Sequence, residues 1–219
     1  MDLRPDDCLT ATSFVDSAHP AVQSFATRVT DGATNDREKA TALFLAVRDG
    51  YRYDPYNTSY EPEAFRASTV VGTERNWCVP KSVLLTAACR ASGIPAALGY
   101  ADVRNHLQSE KLSQSMGTDI FAWHGYSTIW VDDEWHKVSS AFNAEMCERF
   151  GTKVLAWDGT GDALMHPFDT SGNRHMEYVR DRGVYVDLPL DAILATFAEI
   201  YPNMSGEGAG SGVGDQMFE

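Results

Sequence analysis

The first half of the chain carries apolar residues at the spacing of α-helices. Residues 20–30 gather their apolar side chains on one face. A second helix is predicted to begin near Asn35, where Glu38 three residues later gives a capping-box pattern, and to end at Gly50. Residues 78–92 form a third segment with a broad apolar face. The pattern therefore predicts three helices in this half.

The second half is rich in β-branched and aromatic residues. Residues 95–103 and 120–131 have the composition of strands, and residues 135–140 follow after an acidic turn at 132–133. The last two segments and their turn predict a β-hairpin. Residues 153–157 are a further strand candidate, because they are apolar and short.

A final helix is predicted at residues 188–201. Helices followed by an antiparallel sheet indicate an α+β fold. We expect one domain over residues 1–202 and a disordered tail, rich in glycine and serine, over residues 203–219.

Charge and length narrow the function classes. The formal net charge of −13 disfavours binding to nucleic acids or to anionic membrane surfaces, since both are negatively charged. No apolar run reaches the ~18 residues of a membrane span, and no signal peptide is evident at the N-terminus. We therefore expect a cytoplasmic protein. The sequence leaves its oligomeric state open.

The four cysteines carry no metal-binding spacing. None belongs to a C-x-x-C pair, and a protein that is not exported keeps its cysteines as thiols. There is also no glycine-rich phosphate loop. We therefore expect neither a metal nor another cofactor.

Cys78 has the sequence context of a reactive thiol. It follows a polar stretch and opens a buried helix, and Pro80 suits a first helical turn. Free N–H groups and the helix dipole at such a position stabilise a thiolate, which lowers the cysteine pKa, and Lys81 adds positive charge. The alternative interpretation is a small apolar residue that packs at a helix start. Cys89, about three turns or ~16 Å along the same helix, has the context of a packing residue.

A nucleophilic thiol needs a base, and six histidines are present. His124 lies in the first strand of the predicted hairpin, and a rigid strand is a suitable place for a base that faces a helix start. Composition alone does not choose among the six, because a single histidine is more often structural than catalytic.

Two motifs resemble those of transglutaminase-like proteins. The first runs from Cys78 through Leu84-Leu85 to the stretch 89–96, Cys-Arg-Ala-Ser-Gly-Ile-Pro-Ala. The second is His124, a strand, a tight turn, and Trp135 eleven residues after the histidine. A bacterial branch with 175–178 as His-Met-Glu-Tyr is the most similar.

The resemblance implies a papain-like transglutaminase core, in which the nucleophile helix packs on an antiparallel sheet. It also implies an acyl-cysteine intermediate on Cys78, with His124 as base, that water or an amine resolves.

The third catalytic position departs from the family pattern. The family places an aspartate four residues after the tryptophan, and Ser139 occupies that position here. A serine can hydrogen-bond an imidazole but stabilises an imidazolium less well than a carboxylate does. Asn143 is a second candidate, although it also suits a helix N-cap. Asp102 or Asp158 could supply a carboxylate instead.

Other residues are candidates for substrate contacts. Asn76 and Trp77 adjoin the nucleophile, and Tyr53 belongs to an aromatic and polar stretch, although packing is the plainer interpretation of such tyrosines. Asp102 and Arg104 follow directly on a predicted strand. We expect this set to line the cleft.

The leading hypothesis is a cysteine hydrolase or acyltransferase that acts on a small-molecule or peptide substrate with an amide, isopeptide or related acyl group. One alternative is a non-catalytic binding or scaffold protein on the same fold, because the family aspartate is replaced. Another is an enzyme that cleaves a carbon–carbon bond next to an acyl group with the same Cys–His pair. Fold and motif alone do not decide among these.

Overall fold

A computed structural model describes residues 3–56, 59–106, 114, 116–166 and 168–201 of the chain. The predicted tail at 203–219 lies outside the described residues. In the described part, no helix combines the length and apolar character needed to cross a bilayer.

Among the described residues, four helices fall close to the predicted positions, and two short helices were not among the predicted elements. In chain order these helices are α1 (Pro20–Val29), α2 (Asp36–Gly50), α3 (Ala67–Val70), α4 (Cys78–Ala91), α5 (Ala144–Arg149) and α6 (Leu190–Ile200), of which α3 and α5 are the short ones. The predicted N-cap at the start of α2 is confirmed, whereas the reciprocal bond of the capping box reaches one residue further back than predicted. The Asn35 side chain accepts the Glu38 N–H, and the Glu38 carboxylate accepts the Thr34 N–H.

Six strands form two sheets in the described part of the chain. They are β1 (Arg52–Tyr53), β2 (Arg75–Asn76), β3 (Ala96–Asn105), β4 (Ile120–Val131), β5 (Glu134–Val138) and β6 (Met176–Tyr185). The larger sheet is antiparallel with the order β5-β4-β3-β6, and β1 pairs with β2 in a parallel ribbon. The mixture of helices and an antiparallel sheet confirms the α+β class.

The predicted hairpin is confirmed between β4 and β5. Its two turn residues, Asp132 and Asp133, have φ angles of 52° and 64°. Two successive residues with positive φ are typical of the type I′ turn, which follows the right-handed twist of paired strands. Arg37 from α2 forms an ion pair with Asp132 and so fastens the turn to the helical layer.

Two strand assignments differ from the sequence prediction. β6 was not predicted, because its middle section carries charged residues where an alternating apolar pattern would be expected. Residues 153–157 do not form a strand. Their apolar character serves packing instead, since Leu155 and Trp157 are buried and the Trp157 ring lies 5.9 Å from that of Phe44.

The core is built around α4. Every residue of this helix from Cys78 to Arg90 is buried. α4 packs against β4 and β3 on one side and against α1, α2 and α3 on the other. Its first residue, Cys78, is thereby fixed between the sheet and the helical layer.

Candidate active site

Cys78 occupies the first position of α4, as predicted. The preceding residue, Trp77, has an extended backbone, so the first N–H groups of the helix have no carbonyl partner within the helix. The backbone N–H groups of Gly125 on β4, of Val79 and of Cys78 itself lie close enough to the sulfur to lower the pKa of the thiol. Three backbone donors therefore converge on this sulfur.

Burial nevertheless dominates the ionisation of this thiol. It raises the pKa of Cys78 to about 11, and the three N–H groups and the charge of Lys81 offset only part of that increase. The sequence-based expectation of a lowered pKa is therefore wrong. The expected contrast with Cys89 remains, since burial raises the pKa of Cys89 to about 12 and no backbone donor opposes it.

Gly125 allows α4 to approach β4 closely. A Cβ atom at this position would lie 3.1 Å from the Val79 Cα, 3.2 Å from the Cys78 carbonyl oxygen and 2.8 Å from the Ser82 Oγ. Two of these neighbours are backbone atoms that cannot move aside. A side chain at residue 125 would therefore push the helix start away from the strand and remove the N–H donor from the sulfur.

His124 directly precedes Gly125 on β4 and pairs with Ala101 on β3. It is 3% exposed, and burial lowers its pKa to about 4. The His124 ring meets the edge of the Tyr178 ring at a centroid distance of 6.3 Å. Burial raises the pKa of Tyr178, and the Cys78 thiolate adds a smaller contribution, so this tyrosine packs on His124 and lies within electrostatic range of Cys78.

The residue before His124 has an unusual backbone conformation. Trp123 has a φ angle of 58°, in the left-handed region, where a bulky side chain costs about 1–3 kcal/mol. Its N–H donates to the Asp102 carboxylate at 3.0 Å, and its indole N–H donates to Thr196 Oγ1 at 3.0 Å. The Arg182 guanidinium lies 4.9 Å from the centre of its ring. These contacts hold the strand in the conformation that precedes His124.

Asp102 therefore supports the strand behind His124. Its two oxygens accept from the Arg182 guanidinium at 2.8 and 2.9 Å, and one of them also accepts the Trp123 N–H. The carboxylate is buried and occupied by protein donors. In this structure it contacts neither the imidazole as a third catalytic member nor an open cleft.

Among the candidates for the third catalytic position, Ser139 is the one whose side-chain hydroxyl has no partner in the described part of the chain. Among the described residues, neither its Oγ nor the Nε2 of His124 has a hydrogen-bond partner, and both atoms are buried. Val138, the last residue of β5, pairs with Ser127 on β4, which lies three residues along that strand from His124, and Ser139 directly follows Val138. The two unpaired atoms therefore belong to one region of the sheet.

The other two candidates are engaged elsewhere. Asn143 Oδ1 accepts the backbone N–H of Tyr53 at 3.1 Å. Asn143 also occupies the N-cap position of α5, but its side chain caps no N–H of that helix. Asp158 is exposed and accepts from Thr160, whose N–H and hydroxyl lie 3.0 and 2.6 Å away.

Three of the predicted substrate contacts do gather at the start of α4. Tyr53 pairs with Asn76 in the β1–β2 register, and the Asn76 side chain accepts the Trp77 N–H at 3.1 Å. The Cys78 thiolate contributes to the raised pKa of Tyr53, whose main cause is burial. Trp77 packs between the rings of Phe65 and Phe197.

Arg104 is not brought to this cluster. It pairs in register with Ile120, four residues before His124, and forms ion pairs with Asp119 at 2.9 Å and Glu177 at 3.4 Å. It therefore lies at the far end of β3 from Cys78.

Lys81, in the first turn of α4 after Cys78, is buried and fully hydrogen-bonded. Its Nζ donates to the carbonyl oxygens of Arg48 at 2.9 Å, Tyr51 at 2.6 Å and Ala141 at 2.8 Å. Burial lowers its pKa to about 7, yet three acceptors match the three N–H bonds of the ammonium form. The neutral amine would leave one carbonyl without a donor.

Two aromatic residues near the thiol were missed as site residues. Tyr178 was noted only as part of the 175–178 motif of the similar bacterial branch, and Tyr201 was not predicted as a site residue. The Tyr201 hydroxyl accepts the Ala122 N–H at 2.6 Å and donates to the Ile120 carbonyl at 2.8 Å, and the Cys78 thiolate contributes to its raised pKa. No sequence pattern distinguishes such tyrosines from packing residues.

The four cysteines are buried free thiols. In the part of the chain that the structure describes, no group of three or more histidine, cysteine or acidic side chains is arranged to hold a metal ion.

Two solved structures are similar to part of the chain. One is a cysteine protease candidate from Cytophaga hutchinsonii, with 18% identity and a TM-score of 0.48 over 64% of this chain and 43% of that one. The other is a protease candidate from Parabacteroides distasonis, with 19% identity and a TM-score of 0.39 over 61% of this chain and 24% of that one. The chain thus matches less than half the length of either protein.

A family model gives the stronger result. No curated protein sequence matches the chain. The model described as "Transglutaminase-like superfamily" matches residues 23–140, a span that holds Cys78, His124 and Ser139 and covers more than half of the chain. The papain-like transglutaminase core implied by the sequence motifs agrees with this match and with α4 packed on the antiparallel sheet. The chain therefore belongs to the transglutaminase-like superfamily.

Proposed function

We propose that this protein is a cysteine hydrolase or acyltransferase that works through an acyl-Cys78 intermediate. The Cys78 sulfur attacks the acyl carbon, and His124 takes the thiol proton and passes it to the leaving group. Water or an amine then attacks the thioester, His124 accepts its proton, and the Cys78 thiol is restored.

The observation that carries this proposal is the set of backbone donors at the sulfur. A thiol that only filled space at a helix start would not need N–H groups from both the helix and the strand. Here the donors come from Cys78, Val79 and Gly125, and the last of these adjoins His124. The same N–H groups are suited to stabilise the oxyanion that forms on the substrate.

The pair is proposed to react from its neutral form. Burial raises the pKa of Cys78 and lowers that of His124, and both shifts favour a thiol beside a neutral imidazole. No charged group of the described residues offsets the burial of His124. His124 then acts as a general base during the attack, rather than as the cation of a preformed ion pair.

The substrate class follows from the chemistry and from the charge of the protein. We propose a small molecule or peptide with an amide, isopeptide or related acyl bond, acted on in the cytoplasm. The net charge of −13 disfavours nucleic acids and anionic membranes as partners. A non-catalytic binding protein is the alternative that Ser139, in the position of the family aspartate, supports.

Cys78 is expected to react with iodoacetamide at least tenfold faster than Cys89 in the native protein. Burial raises the pKa of both thiols, but backbone N–H groups oppose this increase only at Cys78, so a larger fraction of Cys78 is thiolate at a given pH. Cys78 is also 7% exposed, whereas Cys89 is fully buried. A short labelling pulse at several pH values, followed by peptide mass mapping, measures both rates.

The rate at Cys78 should still be rising at pH 9, because its pKa lies near 11. Labelling in denaturant is the control, since both cysteines should then react alike. Native labelling of Cys78 that is no faster than that of Cys89 would contradict the proposed role of Cys78 and support the binding-protein alternative.

Ser139→Asp is expected to move the pH profile of Cys78 alkylation downward by about one unit. A carboxylate at this position favours the imidazolium form of His124, and an imidazolium next to the sulfur favours the thiolate. The buried charge also costs stability, so the free energy of unfolding should fall. Alkylation rates from pH 6 to 11 give the profile.

Asn143→Asp is the matched control, because it adds the same charge and keeps an acceptor for the Tyr53 N–H. Its profile should move less than that of Ser139→Asp. Equal shifts in the two variants would mean that a carboxylate acts only by adding negative charge to the site, wherever it is placed. No shift in Ser139→Asp would rule out Ser139 as the residue beside the imidazole.

A further inference from the structure

A cavity of about 410 Å³ lies on the far side of Tyr178 from His124 and is lined by neither Cys78 nor His124. Its lining combines the buried side chains of Met165 and Met176 with the exposed side chains of Phe168 and Arg174. Cavities that hold small ligands usually measure about 300–1,000 Å³ and are largely apolar with a few polar groups. This cavity has both properties.

Tyr178 connects the cavity to the site of reaction. It lines the cavity, and its ring also packs against the ring of His124. Its hydroxyl accepts the Met165 N–H at 3.3 Å, which holds the ring in place. A ligand in the cavity therefore lies one side chain away from the base.

A structured loop presents Phe168 and Arg174 together. The two residues form an isolated antiparallel bridge, and Asp169 ties the loop between them. The Asp169 carboxylate accepts from the Ser171 N–H, the Asn173 N–H and the Asn173 side chain at 2.8–2.9 Å. Local hydrogen bonds thus hold the loop together, and they engage the Asp169 carboxylate within the loop itself.

Arg174 is an uncompensated cation at the cavity. The other charged lining residue, Glu177, is already paired with Arg104 at 3.4 Å and His106 at 3.2 Å. Among the described residues, no carboxylate lies within ion-pair distance of Arg174. The net charge of the protein is −13, so its overall electrostatic field repels anions, and an unpaired arginine is a local exception to that field.

Phe168, the apolar neighbour of Arg174, is also exposed. The Phe168 side chain is 47% exposed, which is unusual for a ring beside buried methionines. An apolar ligand would cover Phe168, Met165 and Met176, and an anionic end would pair with the Arg174 guanidinium. A carboxylate matches the planar fork of that guanidinium.

We propose that this cavity binds the acyl substrate through an apolar segment that ends in a carboxylate, with the carboxylate on Arg174. This inference rests on the proposed acyl-transfer function and adds the substrate class to it. It concerns recognition rather than bond cleavage, so binding tests it without turnover.

The test compares two small amides of equal chain length in the inactive variant Cys78→Ala. Adipamic acid carries a carboxylate at the end of its chain, whereas hexanamide carries none. Calorimetric titration at low salt is expected to show at least tenfold tighter binding of adipamic acid. Adding Arg174→Gln should abolish this preference, whereas adding Phe168→Ala should weaken both ligands.

Arg180→Gln is the matched control, because Arg180 is an exposed arginine on β6 that does not line the cavity. It should keep the preference. Equal affinities for the two amides, a preference that survives Arg174→Gln, or no binding of either amide at 20-fold molar excess over millimolar protein would overturn the inference. Labelling of Cys78 in the protein that keeps this cysteine does not depend on Arg174, so such a failure is separate from a failure of the proposed function.

Discussion

Replacing Cys78 with alanine is expected to remove acyl-enzyme formation and to lower any acyl-transfer rate by about 10⁴-fold or more. No other described thiol has the three backbone donors that surround this sulfur. The free energy of unfolding should change by no more than about 1 kcal/mol, because only one sulfur atom at the end of a helix is lost. Burst kinetics with an activated ester and urea denaturation measure the two effects.

Cys89→Ala is the matched control on the same helix. Cys89 is fully buried in the core, so its replacement should cost at least as much stability as that of Cys78 and leave the acylation rate unchanged. If Cys78→Ala unfolded several kcal/mol more easily and kept a normal rate, Cys78 would be a packing residue and the nucleophile would lie elsewhere.

The helical half of the fold was predictable because its signals are local. The Asn35 cap and the apolar period of α2 fix that helix without reference to the rest of the chain. β6 was not predictable in the same way. It pairs with β3, more than 70 residues earlier, and charged residues such as Arg182 and Asp181 interrupt its apolar pattern. Arg182 belongs in the sheet because Asp102 on the neighbouring strand neutralises it, and only the register shows that pairing.

The position of Cys78 at a helix start was predictable, whereas its ionisation was not. A helix start beside a positive charge predicts a stabilised thiolate, and those donors are present at Cys78. The sequence did not indicate how deeply Gly125 lets the strand approach, and that approach excludes the water that would otherwise solvate the charge. The raised pKa follows from this burial, which is a property of the tertiary packing alone.

The candidates for the third catalytic position also show what sequence reveals and what only the tertiary structure reveals. Sequence alone left Ser139, Asn143 and two aspartates open. The structure engages Asn143 with Tyr53 and Asp102 with Arg182, so that Ser139 and the imidazole keep unused polar atoms. These hydrogen bonds join segments far apart in the chain, and they leave no pattern in the sequence.

Lys81→Met is expected to lower the free energy of unfolding by about 3 kcal/mol or more. The methionine fills similar space but leaves three buried carbonyl oxygens without a donor, each at a cost of about 1–3 kcal/mol. Two of these carbonyls belong to Arg48 and Tyr51, where α2 ends and its last turn lacks helical partners. Removal of the buried ammonium recovers some desolvation free energy, which keeps the expected loss at the lower end of the sum.

Lys39→Met is the control for this change, because Lys39 lies on the surface of α2 in a single exposed ion pair with Asp36. Its effect on the free energy of unfolding should stay within about 0.5 kcal/mol. In folded Lys81→Met protein, Cys78 should also alkylate more slowly, since the Lys81 charge is one of the groups that lower the pKa of that thiol. If Lys81→Met kept full stability and full Cys78 reactivity, the three carbonyls would have found other donors, and Lys81 would neither join α2 to the start of α4 nor support the thiolate.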